Sequence, residues 1–426
     1  EALRCDPNCA LAQCTLGDAQ LRRGNLGAAI LECSRALAQL GCGKTIAASA
    51  SCVLAKSALR LDHVDDALSR CNDAVGTLDD VRTEGWSPLQ QAEYALALAL
   101  RGQSRLALGD AAAAVDDCST SMSHDPRWPF AWSTRGSARC RLGELDGALE
   151  DCSHAIELDP GCAAAWSCRG CIQLKRCNLA EAAADSEAAL SIDPGIAASW
   201  LTLAAAKLDT GDLEGASQDC TMALAFDGDS AAAWATRGGA RLDLGDLCGA
   251  VADCSEALSC CPGLFAARYN RAAARYEQNY FDGALTDCNE AVALGYSDPA
   301  LLGYRGRVHF KLGQLDAAVV DCSQALELDA ASPETWSIRG SARLRLGDAE
   351  AALADCEQAL QRDAHCALAM STRGQAKSKQ GDHKGAIADC KEAVRLDGLS
   401  VEAHRSGWTH ATQKQQQRPQ QQQQPH

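Results

Sequence analysis

Small apolar residues return at fixed positions along most of this chain, with polar and charged residues between them. Residues 130–160, FAWSTRGSARCRLGELDGALEDCSHAIELDP, show one period of the pattern. The stretch divides at Gly143, a residue type that commonly ends a helix, and the acidic residues that follow suit the start of a second helix. Pro160 comes directly after Asp159, where the second helix must stop. The pattern predicts a hairpin of two helices that cross over small residues.

The hairpin pattern recurs with a period of 34 residues. Nine contiguous units fill residues 95–400 without an insertion. Two looser units precede them in residues 10–81, and an insert separates the two sets at 82–94. Such regular repetition predicts a repeat protein in which each unit packs on its neighbours.

Both ends of the chain depart from the period. Residues 1–9 match only the last part of a unit and are interpreted as the remnant of a preceding repeat. We expect residues 401–414 to form a capping helix. The Gln-rich residues 415–426 are predicted to be a disordered tail.

The repeated residues resemble the tetratricopeptide repeat. Successive units carry W-x-x-x-G, then G-[DE]-L, then an alanine, and finally A-[LI]-x-L-D-P, and the resemblance covers residues 10–400. It implies an all-α fold, a right-handed superhelical solenoid of helix-turn-helix repeats, whose first helices line a concave groove that binds peptides. The chain differs from the family at one second-helix position, where it has cysteine in place of the common aromatic residue.

Composition and net charge argue against several classes of protein. Aromatic residues make up 4% of the chain and the net charge is -16. An acidic chain lacks the basic face that general binding to nucleic acid requires. No run of roughly 18 apolar residues occurs, so the sequence predicts no membrane span. The 24 cysteines belong to a long apolar chain rather than to a short secreted scaffold, which favours the cytoplasm or another reducing compartment.

Most second helices carry a cysteine at one equivalent position. Packed helices lie about 8–10 Å apart, too far for a disulfide between equivalent residues of successive units, so these cysteines are interpreted as core. The ten are Cys33, Cys71, Cys118, Cys152, Cys220, Cys254, Cys288, Cys322, Cys356 and Cys390.

An aspartate precedes this position wherever the first helix carries an arginine at a given place. We expect an Arg–Asp bridge, either between the two helices of one hairpin or between neighbouring units. Leu203 with Asp219 is an exception that the sequence does not explain. The eight pairs are Arg101–Asp117, Arg135–Asp151, Arg169–Asp185, Arg237–Asp253, Arg271–Asp287, Arg305–Asp321, Arg339–Asp355 and Arg373–Asp389.

Other candidate chemistry is weaker. Cys168-x-x-Cys171, with Cys162 and Cys177 nearby, is the best redox or metal candidate by spacing, but no histidine or second Cys-x-x-Cys completes a zinc set. GCGKT at 41–45 lacks the first glycine of a phosphate-binding loop and follows a predicted helix. No catalytic residue, metal site or cofactor is predicted, and the chain is interpreted as non-enzymatic.

The resemblance places variable first-helix side chains in the groove. Most are small in the middle of the array, but the units starting at 265 and 299 mix aromatic anchors with donors, as binding hot spots do. The predicted partner-binding residues are Tyr269, Asn270, Tyr276, Arg307, Phe310 and Lys311. A better-packed local core around Tyr276 and Phe310 is the alternative interpretation.

One position at the groove edge changes sign along the array, a zoning that suits an extended, charge-patterned ligand. The residues in order are Arg141, Lys175, Asp209, Asp243, Glu277, Lys311, Arg345 and Lys379.

The sequence therefore predicts a scaffold or adaptor that binds a protein or an extended peptide in its concave groove. The alternative is the substrate- or partner-recognition region of a larger enzyme, co-chaperone or complex whose other domains lie outside this sequence. Neither nucleic acid nor a membrane is expected as a partner.

Overall fold

The part of the protein that the computed structural model describes comprises residues 6, 9–39, 43–81 and 86–400. The predicted capping helix at 401–414, the tail at 415–426 and most of residues 1–9 lie outside the described residues. Within the described residues the chain forms 22 helices and no strand. The predicted all-α fold, a solenoid of helical hairpins, is confirmed.

The helices follow one another in chain order through short connections. They are α1 (Ala10–Arg22), α2 (Leu26–Leu37), α3 (Lys44–Arg60), α4 (Val64–Asp79), α5 (Pro88–Ala107), α6 (Ala111–His124), α7 (Pro129–Leu142), α8 (Leu145–Leu158), α9 (Ala163–Lys175), α10 (Leu179–Ile192), α11 (Ala197–Thr210), α12 (Leu213–Phe226), α13 (Ala231–Asp243), α14 (Leu247–Cys260), α15 (Phe265–Glu277), α16 (Phe281–Ala293), α17 (Pro299–Lys311), α18 (Leu315–Leu328), α19 (Pro333–Leu346), α20 (Ala349–Arg362), α21 (Ala367–Lys379) and α22 (His383–Ser400).

The chain divides into two compact parts, an N-terminal part (residues 1–202) and a C-terminal part (residues 203–426). In each part consecutive helices pair as hairpins, for example α7 with α8 and α13 with α14. The second helix of a hairpin packs on the first helix of the next, and first helices also pack on each other, as α13 does on α15. We call the surface that these first helices form the first-helix face.

Part of the segment assigned to the insert at 82–94 is helical. Helix α5 begins at Pro88, where Ser87 and Gln90 cap the first turn by exchanging side-chain and backbone hydrogen bonds. Tyr94 is buried, and its ring centre lies 4.5 Å from that of Trp86. Residues 88–94 thus extend a first helix by about two turns, while residues 82–85 lie outside the described residues.

In most hairpins the two helices cross closely over a glycine, and an alanine takes its place in the others. A Cβ atom added at Gly136 in α7 would lie 2.7 Å from Cys152 Sγ and 3.2 Å from the carbonyl oxygen of Ala148, both in α8. The same contact recurs between Gly238 and Cys254. The repeated second-helix cysteines, such as Cys152 and Cys254, which we call the ladder cysteines, therefore fill the space that the missing glycine side chain leaves.

Burial of the ladder cysteines agrees with their interpretation as core, with one exception. Nine of the ten are buried, and Cys152 has no exposed surface. Cys390 is exposed, because it lies in the last described hairpin and no further described helix packs over it. The core interpretation is therefore wrong for Cys390 within the described residues.

Each repeated aspartate pairs with the arginine of its own hairpin, which decides between the two predicted placements of the bridge. Arg135 Nε and Nη2 lie 2.9 and 2.7 Å from the two carboxylate oxygens of Asp151, a bidentate pair. Asp151 is 2% exposed. The other seven pairs form the same contact within their hairpins.

A second base clamps the aspartate in most hairpins, and the sequence did not reveal it. Arg139, one turn beyond the first arginine, donates to Asp151 at 2.8 Å. Where Leu203 replaces the first arginine, Lys207 stands at this second position, and its Nζ lies 2.7 Å from Asp219. The exception is explained, because the buried carboxylate keeps a cation from the next helical turn.

Five of these arginines also tie their hairpin to the one before it. Arg135 donates to the Ser119 hydroxyl of the preceding second helix at 3.2 Å, and its guanidinium lies 5.0 Å from the Trp132 ring centre. Arg237 donates to Thr221 in the same way at 3.1 Å. One side chain thus contributes to packing within a hairpin and between hairpins.

Gly136→Ala should destabilise the protein by about 1–3 kcal/mol, because the new methyl group overpacks the crossing. Gly76→Ala is the matched control, since Gly76 is exposed in α4 and nothing lies within 4 Å of the added Cβ. This control should be about 0.5–1 kcal/mol more stable than the wild type. Thermal unfolding of both variants tests the expectation, and equal effects would contradict the close crossing.

Arg169→Met should cost about 3 kcal/mol, clearly more than Arg135→Met. Among the described residues, Arg169 is the only cation on Asp185, because Gln173 stands where the other hairpins have the second base. Loss of Arg135 leaves Arg139 on its acid. Melting temperatures of the two variants, measured side by side, provide the test.

Arg176→Met controls for the loss of a positive charge. Arg176 pairs with Asp146, a carboxylate that is 93% exposed, so this change should be nearly neutral. If all three arginine variants melt together, the buried clamp does not carry the stability assigned to it.

Candidate functional site

The six predicted partner-binding residues lie on two neighbouring first helices of the C-terminal part. Tyr269, Asn270 and Tyr276 belong to α15, and Arg307, Phe310 and Lys311 belong to α17. Five of them are half-buried or exposed, whereas Tyr276 is 7% exposed. The structure thus brings the six together in one region but at different depths.

Tyr276 lies in an aromatic core. Its ring centre is 5.7 Å from that of Tyr304, which is also buried and in turn lies 5.5 Å from Tyr269. Around Tyr276, the alternative interpretation of a local core therefore describes the packing. Tyr304 was not among the predicted residues, although the tyrosine was a visible signal at a position where Thr202 and Thr236 stand in earlier units.

Arg307 connects this core to the surface. Its Nε donates to the Tyr276 hydroxyl oxygen at 3.1 Å, and its guanidinium lies 4.6 Å from the centre of that ring. Its Nη1 donates to Glu334 of α19 at 2.8 Å, and Glu277 lies 4.0 Å away. The side chain is held between an aromatic ring and two acids.

Burial sets the protonation of these groups. It raises the pKa of Tyr269 and Tyr276 above the usual value, so both remain neutral phenols. Burial by itself lowers the pKa of Arg307, but Glu334 and Tyr276 act against it and hold the pKa above its ordinary range. Arg307 is therefore a permanent cation at this place.

The remaining three residues are the more accessible ones. Asn270 Nδ2 donates to the carbonyl oxygen of Ala235 at 3.4 Å and so crosses to the preceding first helix. Phe310 is half-buried, with the Arg345 guanidinium 5.1 Å from its ring centre. Lys311 is exposed, and among residues 86–400 no hydrogen bond or ion pair engages its amine.

Basic residues at the groove-edge position have a structural role. Lys379 Nζ donates to the carbonyl oxygen of Leu344 at 3.0 Å, at the end of the preceding first helix, where the helix dipole favours a cation. Residues Arg141, Lys175 and Arg345 donate to the equivalent carbonyl groups at 2.7, 3.4 and 3.4 Å. Part of the charge zoning therefore serves helix capping.

Asp243 occupies the same position but cannot donate. It is half-buried, and burial raises its pKa to about 6. Its carboxylate is therefore poorly solvated when charged, which distinguishes it from an exposed acid.

Two further properties concern the described residues as a set. Among them, no helix has the length and apolar content needed to cross a bilayer. The same residues also contain no group of three or more His, Cys, Asp or Glu side chains placed to hold a metal ion. This includes the surroundings of Cys168 and Cys171.

The period, the close crossing and the first-helix face define a protein built from repeated helical hairpins. Two family models described as tetratricopeptide repeat match residues 305–332 and 339–400. The chain therefore contains tetratricopeptide repeats, a class of repeat that generally serves in protein-interaction scaffolds.

The chain is also similar to several solved structures, and the first of the three described next supports the fold. The APC/C hetero-tetramer Cut9–Hcn1 is 13% identical, covering 94% of this chain and 95% of that chain with a TM-score of 0.50. Yeast Tom70 is 16% identical, covering 96% of each chain with a TM-score of 0.37. YrrB, described as a TPR protein with an unusual peptide-binding site, is 19% identical over 43% of this chain and 97% of its own, with a TM-score of 0.36. No curated protein sequence matches the chain.

Asp243→Asn should raise the melting temperature by about 1–2 °C at pH 8. The pKa of Asp243 is higher in the folded state than in the unfolded chain, so ionisation opposes folding above pH 6, and this penalty fades as the pH falls from 6 towards 4. The gain should therefore vanish near pH 4. Asp229→Asn, at an exposed residue, controls for the change in net charge; an equal gain in both variants would argue against a burial effect.

Proposed function

We propose that this protein is a non-enzymatic adaptor whose first-helix face binds an extended segment of a partner protein in the groove beside α15 and α17. Tyr269, Asn270, Arg307, Phe310 and Lys311 make the contacts. Tyr276 acts from beneath by holding Arg307 in place. The location of the groove and the nature of its occupant are specific to this proposal. They go beyond the general scaffold role of tetratricopeptide repeats.

The observation that carries the proposal is the mixture of side chains on these two helices. Half-buried aromatic rings stand beside a guanidinium held by Tyr276 and beside the exposed amine of Lys311, which no described residue engages. Aromatic and arginine side chains with restricted freedom lose little entropy when a ligand binds, which is why they dominate binding hot spots.

The non-enzymatic part of the proposal rests on how the chain uses its acids and thiols. The repeated aspartates are clamped by bases of their own hairpins, and nearly all ladder cysteines are buried. These groups stabilise helix packing, so the most frequent candidate chemistry of the sequence already has a structural role.

A photo-crosslinking residue placed at position 311 or at position 320 tests the binding face. Lys311 is exposed at the end of α17, while Val320 is 53% exposed on the second helix α18. We expect a partner protein from the native cells to be crosslinked from position 311 and not from position 320. Crosslinks from 320 alone would contradict the proposal.

Substitutions measure the contribution of the contacts once that partner is in hand. The double variant Phe310→Ala, Lys311→Glu should weaken binding by about 10-fold or more, as expected when a hot-spot contact is lost. Val320→Ala should leave the dissociation constant unchanged. Tyr276 is kept, because its removal would damage the core and confuse binding with folding.

A further inference from the structure

Two cysteines from neighbouring first helices meet in the N-terminal part. Cys140 lies in the last turn of α7, and Cys171 lies in α9 one helical turn before Lys175, whose Nζ is 3.4 Å from Cys140 Sγ, so both thiols lie at the same contact between α7 and α9. Cys140 is 6% exposed and Cys171 is half-buried. Equivalent ladder cysteines are too far apart to pair, but these two occupy different positions in their units and so approach each other.

The amine of Lys175 contacts the sulfur of Cys140. Lys175 Nζ is 3.4 Å from Cys140 Sγ and 3.4 Å from the Cys140 carbonyl oxygen. The lysine that caps the end of α7 therefore also sets a positive charge beside a thiol. Positive charge near a thiol favours the thiolate, which is the nucleophilic form.

A second thiol pair lies next to the first. Cys168, one turn before Cys171 in α9, packs against the apolar cluster that contains Cys152 of α8 and Cys140. Four thiols thus connect α7, α8 and α9, although only Cys168 and Cys171 stood out by their spacing in the sequence. Cys152 belongs to the buried ladder, which makes this second pair the less accessible one.

The pKa of Cys140 is shifted in the opposite direction from the pKa values of Cys118 and Cys220, two of the ladder cysteines. The hydrogen bond from Cys171 lowers the pKa of Cys140 most, Lys175 and Arg141 lower it further, and burial opposes them. In the ladder, burial dominates and raises the pKa of Cys118 and Cys220 to about 12. Cys140 is therefore the stronger nucleophile at neutral pH.

We propose that Cys140 and Cys171 form a peroxide-sensitive thiol pair, whose oxidation to a disulfide joins α7 to α9. The site is separate from the partner-binding residues of α15 and α17 and does not rest on the function proposed for them. Its reagent is hydrogen peroxide, which is small enough to reach a sulfur with little exposed surface.

The reaction balances with peroxide as the oxidant. The Cys140 thiolate attacks one peroxide oxygen, the O–O bond breaks, and hydroxide leaves as Cys140 becomes a sulfenic acid. Cys171 then attacks the Cys140 sulfur, the S–O bond breaks, and the hydroxide released takes up the Cys171 proton to form water. Two thiols lose two electrons in total and the peroxide is reduced to two waters.

Peptide mapping of the full chain tests the proposal. The reduced protein, freed of reductant, is treated with a small excess of hydrogen peroxide, alkylated and digested without reduction. We expect a peptide pair linked through Cys140 and Cys171 that lacks two hydrogens relative to the thiols. Lys175→Met should slow its formation about tenfold, and Lys175→Arg should restore most of the rate.

The chain contains its own matched control. Cys14 and Cys33 also lie together in one buried apolar cluster, but the charges acting on Cys14 are those of the acids Glu93 and Asp18 rather than a lysine. This pair should become linked more slowly than Cys140 and Cys171 in the same digest.

The pH dependence separates a role of the amine from a purely structural role. The ionisable groups that act on Cys140 or pair with its neighbours are Cys171, Lys175, Arg141, Cys168 and Cys152. The wild-type rate should rise at a lower pH than the rate of Lys175→Met, with circular dichroism confirming that both are folded.

Three results would overturn the proposal. The first is a folded protein without the Cys140–Cys171 link after peroxide treatment. The second is a link that forms no faster than the Cys14–Cys33 link or appears at Cys152 and Cys168 instead. The third is an equal loss of rate in the methionine and arginine variants of Lys175.

Discussion

The close crossing of two helices in each hairpin is the constraint on which the other contacts depend. Because Gly136 has no side chain, α7 approaches α8 until Cys152 fills the crossing. At that separation Arg135 reaches both oxygens of Asp151. Taking a carboxylate out of water without a cation is costly, so the acid and its bases persist together from hairpin to hairpin. The crossing thus determines which polar groups the core can hold.

Packing changes at the aromatic residues of the C-terminal part. Between α13 and α15 the side chains are small, and Asn270 reaches past Gly239 to the Ala235 carbonyl group. Between α15 and α17, tyrosines fill the space, and Arg307 stacks on Tyr276. Large rings need room that glycine and alanine do not. The tyrosines that stand here in place of small residues fill the core and also bring aromatic and charged groups to the first-helix face.

Residues that serve the repeat acquire other properties from their neighbours. A lysine or arginine at the groove edge caps the preceding first helix, as Lys379 does for Leu344. Lys175 makes the same contact, but the residue that it caps is a cysteine, so its charge also acts on a thiol. The same capping contact therefore places a cation beside a thiol wherever the capped residue is a cysteine.

The sequence by itself determined the hairpins, their period and the existence of an Arg–Asp bridge, because the positions of glycine, proline and small residues along one hairpin follow from local helix geometry. Tertiary structure alone decided that the Arg–Asp bridge lies within a hairpin, that Lys207 replaces a missing arginine, that Tyr276 is buried, and that Cys140 lies against the face of α9 that carries Lys175 and Cys171. These outcomes depend on the rotation and register of helices packed against one another. A repeat period gives the order of such helices but not the direction of each side chain, so only the packed structure could decide them.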